Sequence, residues 1–292
     1  MKGIILAGGA GTRLYPLTSA ISKQMLPVYD KPMIYYPLAT LMEAGIRDIL
    51  IISTKHDLPS FQYLFGNGMQ IGLNISYEIQ EKPRGLAEAF IIGEKFIGND
   101  DICLILGDNI FYGDLKRSFA SSIELAKNGT ATFYGYQVND PERYGVAVVE
   151  NETLIDIEEK PSKPKSNWAI TGLYFYPNDV VRIAKCVKPS KRGELEITTI
   201  NNFFIKVKDG KHFANIYKMP LGSAWLDTGT FDSLAEASAF VEAIQKRTGK
   251  MIGCIDEIAI NNGWVTKEEY SHHPLLNYKN SYCEYLKKLV YE

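Results

Sequence analysis

Arg13, Lys23, Asp108, Lys160, Arg192 and Asp227 are the side chains around which a reaction could be built. Four cations and two carboxylates are more than one phosphate group needs, and they suit two phosphorylated substrates. Two unit anions 4 Å apart repel by about 4 kcal/mol at an effective dielectric of 20. Bringing one phosphorylated substrate onto another therefore demands fixed positive charge and a metal on both sides. The sequence offers no nucleophile elbow, no Cys–His pairing and no evident general base. A phosphate oxygen is already anionic at pH 7, so positioning and charge neutralisation suffice for phosphoryl transfer.

The first element that must position this chemistry is Lys2 to Leu14. Ile4, Ile5 and Leu6 suit a strand buried on both faces. Gly8, Gly9 and Gly11 then crowd into four positions, where backbone N–H groups can approach an anion closely. Arg13 adds a planar, permanently charged fork. A Walker A loop would end in Gly-Lys-Ser/Thr, but Thr12-Arg13-Leu14 stands there. A dinucleotide fingerprint would need glycine at Leu14, and an acidic residue about 20 positions on. Asp30 is near that distance but lies in a turn-like stretch. The remaining readings are a nucleotide phosphate cradle and a plain strand-to-helix turn.

Lys23, in Ser22-Lys23-Gln24-Met25-Leu26-Pro27, could fold back over this loop. A helix is expected over 33–44, ended by Gly45. Strands follow at 48–53, 74–79 and 102–106, with helices at 58–65 and 86–97 between them. This alternation predicts an α/β fold with a mixed, mostly parallel sheet flanked by helices. Ligands bind beyond the carboxyl ends of such strands. Gln80 stands there, with a carboxamide that matches the adjacent N–H and C=O edge of thymine or uracil. Asp108 ends the most apolar strand, and a carboxylate there needs a partner such as a divalent cation.

Strand 131–138 leads to a hairpin of strands at 146–149 and 154–158, which runs into Glu159 and Lys160. Strand 168–176 is aromatic enough to floor a sugar pocket. Arg192 sits in a loop before a helix. Asp227 is the other carboxylate of a metal site only if its strand lies beside that of Asp108. Thr228 or Thr230 looks like the cap of a helix over 231–247. Residues 1–230 read as the catalytic domain, divided near 130 into nucleotide and sugar-phosphate parts. Residues 231–292 read as a helical appendage suited to an oligomer interface.

The 292 residues are 46% hydrophobic and 23% charged, with a formal net charge of −2. That balance gives no support to nucleic-acid or membrane-surface binding. No apolar run approaches the roughly 18 residues a membrane span requires, and no signal peptide is evident. Cys103, Cys186, Cys254 and Cys283 form no C-x-x-C pair, which fits a reducing cytoplasm. His56, His212, His272 and His273 have no metal-ligand spacing, and the adjacent pair reads as surface loop.

Taken in order, Gly8 to Leu14, Ser22 to Pro32, Gly107-Asp108-Asn109, Glu142 to Gly145, Glu158 to Pro161, Arg192 to Thr198 and Trp225 to Thr230 resemble the glucose-1-phosphate thymidylyltransferases. The resemblance runs nearly end to end. It implies a nucleotide-diphospho-sugar transferase fold. It also implies the reaction of dTTP with α-D-glucose 1-phosphate, giving dTDP-glucose and pyrophosphate by a single in-line displacement. That is the first step of deoxysugar synthesis, such as that of dTDP-rhamnose. By the family pattern Leu6, Gly8, Gly9, Gly11, Thr12, Arg13 and Lys23 hold the nucleotide, while Gln80, Pro83 and Gly85 serve the base. Asp108 and Asp227 bind Mg²⁺. Lys160 and Arg192 hold the sugar phosphate, and Asn109, Tyr144, Gly145, Glu159 and Ile170 line the sugar. A homotetramer is implied, with feedback inhibition at Tyr112, Gly113, Glu257 and Ile258. Asn261 stands where relatives often carry an arginine shortly after the Glu257-Ile258 pair.

Three other readings follow from the same residues. One is the same chemistry with UTP or another hexose phosphate. The second is a sugar-nucleotide sensor without catalysis, which would be expected to have lost a charged site residue. The third, an NAD-dependent oxidoreductase, is opposed by Leu14.

Overall fold

The computed structural model describes residues 1–9, 11–206 and 213–292. Ala10 of the glycine loop and His212 lie outside the described residues. In chain order the strands are β1 (Lys2–Leu6), β2 (Pro27–Val28), β3 (Lys31–Pro32), β4 (Asp48–Ser53), β5 (Asn74–Ile79), β6 (Ile102–Leu106) and β7 (Ile110–Tyr112). They continue as β8 (Ala131–Gln137), β9 (Gly145–Glu150), β10 (Thr153–Glu159), β11 (Trp168–Tyr176), β12 (Ala214–Lys218) and β13 (Ala224–Leu226). The main sheet has nine strands in the order β10-β9-β11-β6-β1-β4-β5, with β8 on β11 and β12 on β8.

Strands β6, β1, β4 and β5 are parallel neighbours. The apolar runs of β6, β1 and β4 work because successive side chains point to opposite faces and both faces are covered, whereas β5, at the sheet edge, exposes Asn74, Ser76 and Glu78. Ile5, Ile49, Ile51, Cys103 and Ile105 enter one core, together with Leu38, Leu41 and Met42 of the helix Tyr35–Glu43. Ile4, Leu6, Leu50, Ile52, Ile102 and Leu104 enter the other, against Ala89 and Phe90. The expected helix over 86–97 forms instead as two pieces, Glu88–Ile92 and Glu94–Ile97, because Gly93 (φ −80°, ψ 2°) leaves the helical region between them.

Sheet pairing continues one residue past the strand ends. Ala7 N–H donates to Ile52 O (2.8 Å), Gln80 N–H to Ser53 O (2.8 Å) and Gly107 N–H to Leu6 O (2.9 Å). The glycine loop, the base-reading candidate and the acidic strand end therefore share one rim.

β11 is where the sheet opens. Its second half, Leu173 to Tyr176, pairs antiparallel with β6, whereas Ala169 pairs with Val146 of β9. A register shift between Ile170 and Tyr174 marks the changeover. β6 and β9 thus part beside Ile170, leaving a gap between the parallel half and the antiparallel half.

The helix Phe231–Thr248 is capped by Thr230. Ser233 N–H donates to Thr230 Oγ1 (3.1 Å) and Thr230 N–H donates to Ser233 Oγ (2.9 Å). Beyond it, the buried Asp256 carboxylate accepts from the Tyr270 and Tyr282 hydroxyls, each at 2.5 Å, and ties the C-terminal helices together. His273 stacks on Tyr270 with ring centroids 4.8 Å apart, so the adjacent histidines do not both stand free in a surface loop.

Candidate active site

Three cavities of about 470, 230 and 370 Å³ lie along this rim, and Arg13 and Asp108 line all of them. The 470 Å³ cavity has Leu6, Gly8, Gly9, Gln80, Pro83 and Gly85 on its β1–β5 side. Gly145, Glu159, Lys160, Ile170 and Arg192 come from the antiparallel half. The 230 Å³ cavity adds Gly11, Thr12 and Lys23. The 370 Å³ cavity adds Asn109, Tyr144 and Asp227. Every residue expected in the catalytic site lines one of the three.

Lys23 is only 9% exposed, and its Nζ donates to Asp108 Oδ2 at 2.6 Å. A buried cation this close to a carboxylate is held by it, so the lysine is aimed into the site rather than solvated. Asn109 Nδ2 donates to the other carboxylate oxygen at 2.9 Å. The Asn109 side-chain oxygen accepts from Gly172 N–H (3.1 Å) and Trp225 Nε1 (2.6 Å). Asn109 therefore orients Asp108 and braces β11 and β13, and its second Nδ2 hydrogen remains available to the cavity.

The strand of Asp227 does not lie beside that of Asp108, contrary to the condition set from sequence. β13 pairs with β7, with Leu226 opposite Ile110. Because the chain turns at Asp108-Asn109 straight into β7, that pairing still brings Asp227 to the same cavity. Thr228 completes the link, its Oγ1 donating to the Asp108 carbonyl at 2.7 Å. Asp227 Oδ2 accepts from the Tyr144 hydroxyl (3.1 Å) and an Arg143 nitrogen (3.3 Å). Burial and the Asp227 carboxylate push the Tyr144 hydroxyl well above its ordinary value, so it remains a donor.

On the opposite wall Arg192 is bonded to Glu196 through Nε (3.1 Å) and through its NH2 nitrogen, which lies 2.9 and 2.8 Å from the two carboxylate oxygens. That hydrogen bond raises its pKa further. Glu159 lies 3.4 Å and Glu194 3.6 Å from the same guanidinium. Glu159 also accepts from Thr198 Oγ1 at 2.5 Å. Lys160, at φ +44°, is half exposed and 4.0 Å from Glu159. Arg13 has no carboxylate within 4.0 Å among the described residues, so its fork faces the cavities without an ion-pair partner.

Sequence reasoning passed over Gln24, Arg143, Glu196 and Thr198 as site residues. Gln24 lines two of the cavities and accepts from Ser22 Oγ at 2.6 Å. Its place next to Lys23 was the one signal that could have marked it.

Residues 2–244 match the nucleotidyl transferase family. The chain is 54% identical over 293 residues to the glucose-1-phosphate thymidylyltransferase of Neisseria meningitidis, covering 99% of both chains. It is 48% identical over 291 residues to that of Mycobacterium tuberculosis, again covering 99% of each. The chain belongs to the glucose-1-phosphate thymidylyltransferase family. Among solved structures, a Bacillus anthracis protein assigned to the same specificity, in complex with sucrose, superposes with a TM-score of 0.74. It is 42% identical, and the match covers 82% of this chain and 94% of that one. A UDP-glucose pyrophosphorylase complexed with UDP-glucose gives a TM-score of 0.70 at 28% identity, covering 84% and 98%. The nucleotide-diphospho-sugar transferase fold expected of this family is thus the one observed.

The loop after β5 is clipped to the loop before the helix Ile197–Ile205. Leu195 N–H donates to Arg84 O (2.6 Å), and Ala87 N–H donates to Leu195 O (3.1 Å). Gly85, between them, has φ +107°, and a Cβ there would stand 2.4 Å from Leu195 O and 2.6 Å from Leu195 N. Backbone on both sides cannot yield cheaply. Gly85→Ala is expected to lower unfolding stability by about 3 kcal/mol and to raise KM for the nucleotide. Urea unfolding of the variant, with an unchanged midpoint as the contrary result, checks this.

A separate cavity of about 620 Å³ shares no residue with these three and is lined by Tyr112, Gly113, Glu257 and Ile258, with Asn261 also on its wall. The four regulatory candidates are therefore brought together.

Proposed function

We propose that this protein transfers a thymidylyl group from dTTP to α-D-glucose 1-phosphate, giving dTDP-glucose and pyrophosphate. The observation that carries the reading is that Arg13 and Asp108 line a nucleotide-side and a sugar-side cavity at once. A charged group common to both is what two converging phosphates require. The names of the relatives at 42–54% identity supply the substrate pair.

The glycine loop, Arg13 and Lys23 would hold the triphosphate, with Gln80 on the base. Lys160 and Arg192 would hold the sugar phosphate, with Arg192 exchanging carboxylate partners for phosphate oxygens. An anionic oxygen of glucose 1-phosphate attacks the α-phosphorus, that P–O bond forms, and the bond to the β-phosphate oxygen breaks. Pyrophosphate leaves with the electron pair. No proton need be moved, which agrees with the lack of a candidate base. Asp108 and Asp227 give two oxygen donors on one cavity, a set that fits Mg²⁺ with substrate phosphates completing its shell. When bound, the ion supplies neutralisation of the charge that builds up on the phosphates.

The 620 Å³ cavity is the proposed regulatory site for a dTDP-sugar. Support comes from Tyr112 at the end of β7, whose ladder with β13 connects that cavity to Asp108 and Asp227. Lys116 and Lys250 bring positive charge to it, beside Glu43, Asp114 and Glu257. The reading extends to a homotetramer, for which the exposed side chains of Phe231, Tyr278 and Tyr291 in the 231–292 region provide apolar surface. It also extends to a reducing cytoplasm, supported by four free thiols. No helix among the described residues is long and apolar enough to cross a membrane.

The test is product formation from dTTP, glucose 1-phosphate and Mg²⁺. Equal amounts of dTDP-glucose and pyrophosphate, and none with either substrate omitted, are expected. Binding of dTDP-glucose without pyrophosphate release would make the protein a sensor. UTP in the same panel measures how far the methyl group of thymine matters, since Gln80 would meet the same edge in both bases.

A further inference from the structure

We propose that Glu88 fixes which way round the Gln80 carboxamide faces, and thereby sets the base site to read a ring N–H rather than a ring lone pair. The inference rests on the thymidylyl-transfer reading and adds to it a residue that does not itself line the cavity. Gln80 is buried at 5% exposure on the cavity wall. Its Nε2 donates to Glu88 Oε2 at 2.9 Å. The second Glu88 oxygen faces Arg84 Nε at 3.5 Å, and the Glu88 side chain is 13% exposed. The Gln80 oxygen stands over Gly8, 2.5 Å from where a Cβ on that residue would lie.

A carboxylate paired with a guanidinium only accepts hydrogen bonds. Turning the Gln80 amide over would set its oxygen against Glu88 Oε2 with no proton between them, near the bottom of a buried wall. Such a buried mismatch is costly. The amide is therefore locked with its oxygen toward the Gly8 side and one N–H still available. That pairing of acceptor and donor matches thymine or uracil, where N3–H donates and the neighbouring carbonyl accepts. Cytosine presents the reverse, an N3 lone pair and an N4 amino donor. Its lone pair would meet the Gln80 oxygen.

A glutamine at position 88 could donate as readily as accept, and the Gln80 amide would then be free to turn. Steady-state kinetics of the full chain with dTTP and dCTP, each with glucose 1-phosphate, measure the effect. Glu88→Gln is expected to lower the dTTP/dCTP ratio of kcat/KM by about tenfold, with the loss for dTTP falling mainly on KM. Glu88→Ala, which removes the acceptor altogether, is expected to lower the ratio likewise and serves if the glutamine variant does not fold. A role in packing alone would slow both nucleotides equally, and an unchanged ratio in either folded variant overturns the proposal. If the unaltered protein turns over neither nucleotide, the functional reading fails separately. Calorimetric binding of dTTP against dCTP to the protein and its variants then decides the role of Glu88 by the same ratio.

Discussion

Replacing Asp108 by asparagine is expected to lower turnover by about 10³-fold, the combined loss of the proposed metal ligand and of a preorganised charge. The substitution is isosteric, and the backbone anchor from Thr228 Oγ1 to the Asp108 carbonyl (2.7 Å) does not involve the side chain. The side-chain contacts do change sign. The new amide can satisfy either Lys23 Nζ or Asn109 Nδ2 with its oxygen, but not both, because its nitrogen is a donor facing a donor. Lys23 would also be left as a buried cation without its counter-charge, which costs stability by about 3 kcal/mol. Thermal unfolding therefore accompanies the kinetics, and a folded variant with full activity would mean that the metal is held elsewhere.

Arg13→Ala is expected to lower kcat/KM by about 10²- to 10³-fold, with effects on both substrates rather than one. The reason is its position on all three cavities without a carboxylate partner among the described residues. Lysine there restores a point charge but not the planar fork, so Arg13→Lys is expected to recover only part of the loss. Initial rates with each substrate varied in turn check this. A change confined to KM for the nucleotide would make Arg13 a triphosphate contact alone.

Sequence and structure agree where the chemistry follows directly from a buried strand. Leu6 and Asp108 could be read because β1 and β6 are continuous apolar runs whose ends must lie on the rim, and Gln80 because it follows the alternating edge strand β5. Asp227 was legible only as a condition. Its place depends on the short β7–β13 ladder, formed by residues more than 110 positions apart, and β7 itself is too brief to show in the hydrophobic pattern. Arg143 was hidden for the same reason, since its partner Asp227 is 84 residues away. The Gln80–Glu88 pair is close in sequence, yet an unbroken helix over 86–97 gave no cause to connect them. Asn109 was expected to line the sugar; it lines the cavity and its carboxamide in addition binds Asp108, Gly172 and Trp225, which the sequence did not indicate. Such a commitment depends on three elements meeting, which no local pattern reports.

The central claim is that one site brings two phosphates together for direct displacement, with no group of the protein attacking phosphorus. Exchange of labelled pyrophosphate into dTTP measures this most directly. With dTTP, labelled pyrophosphate and Mg²⁺ alone, the account predicts no label in dTTP, and rapid labelling once glucose 1-phosphate is supplied. Exchange in the absence of the sugar phosphate would show a thymidylyl group held covalently on the protein, and would contradict the account.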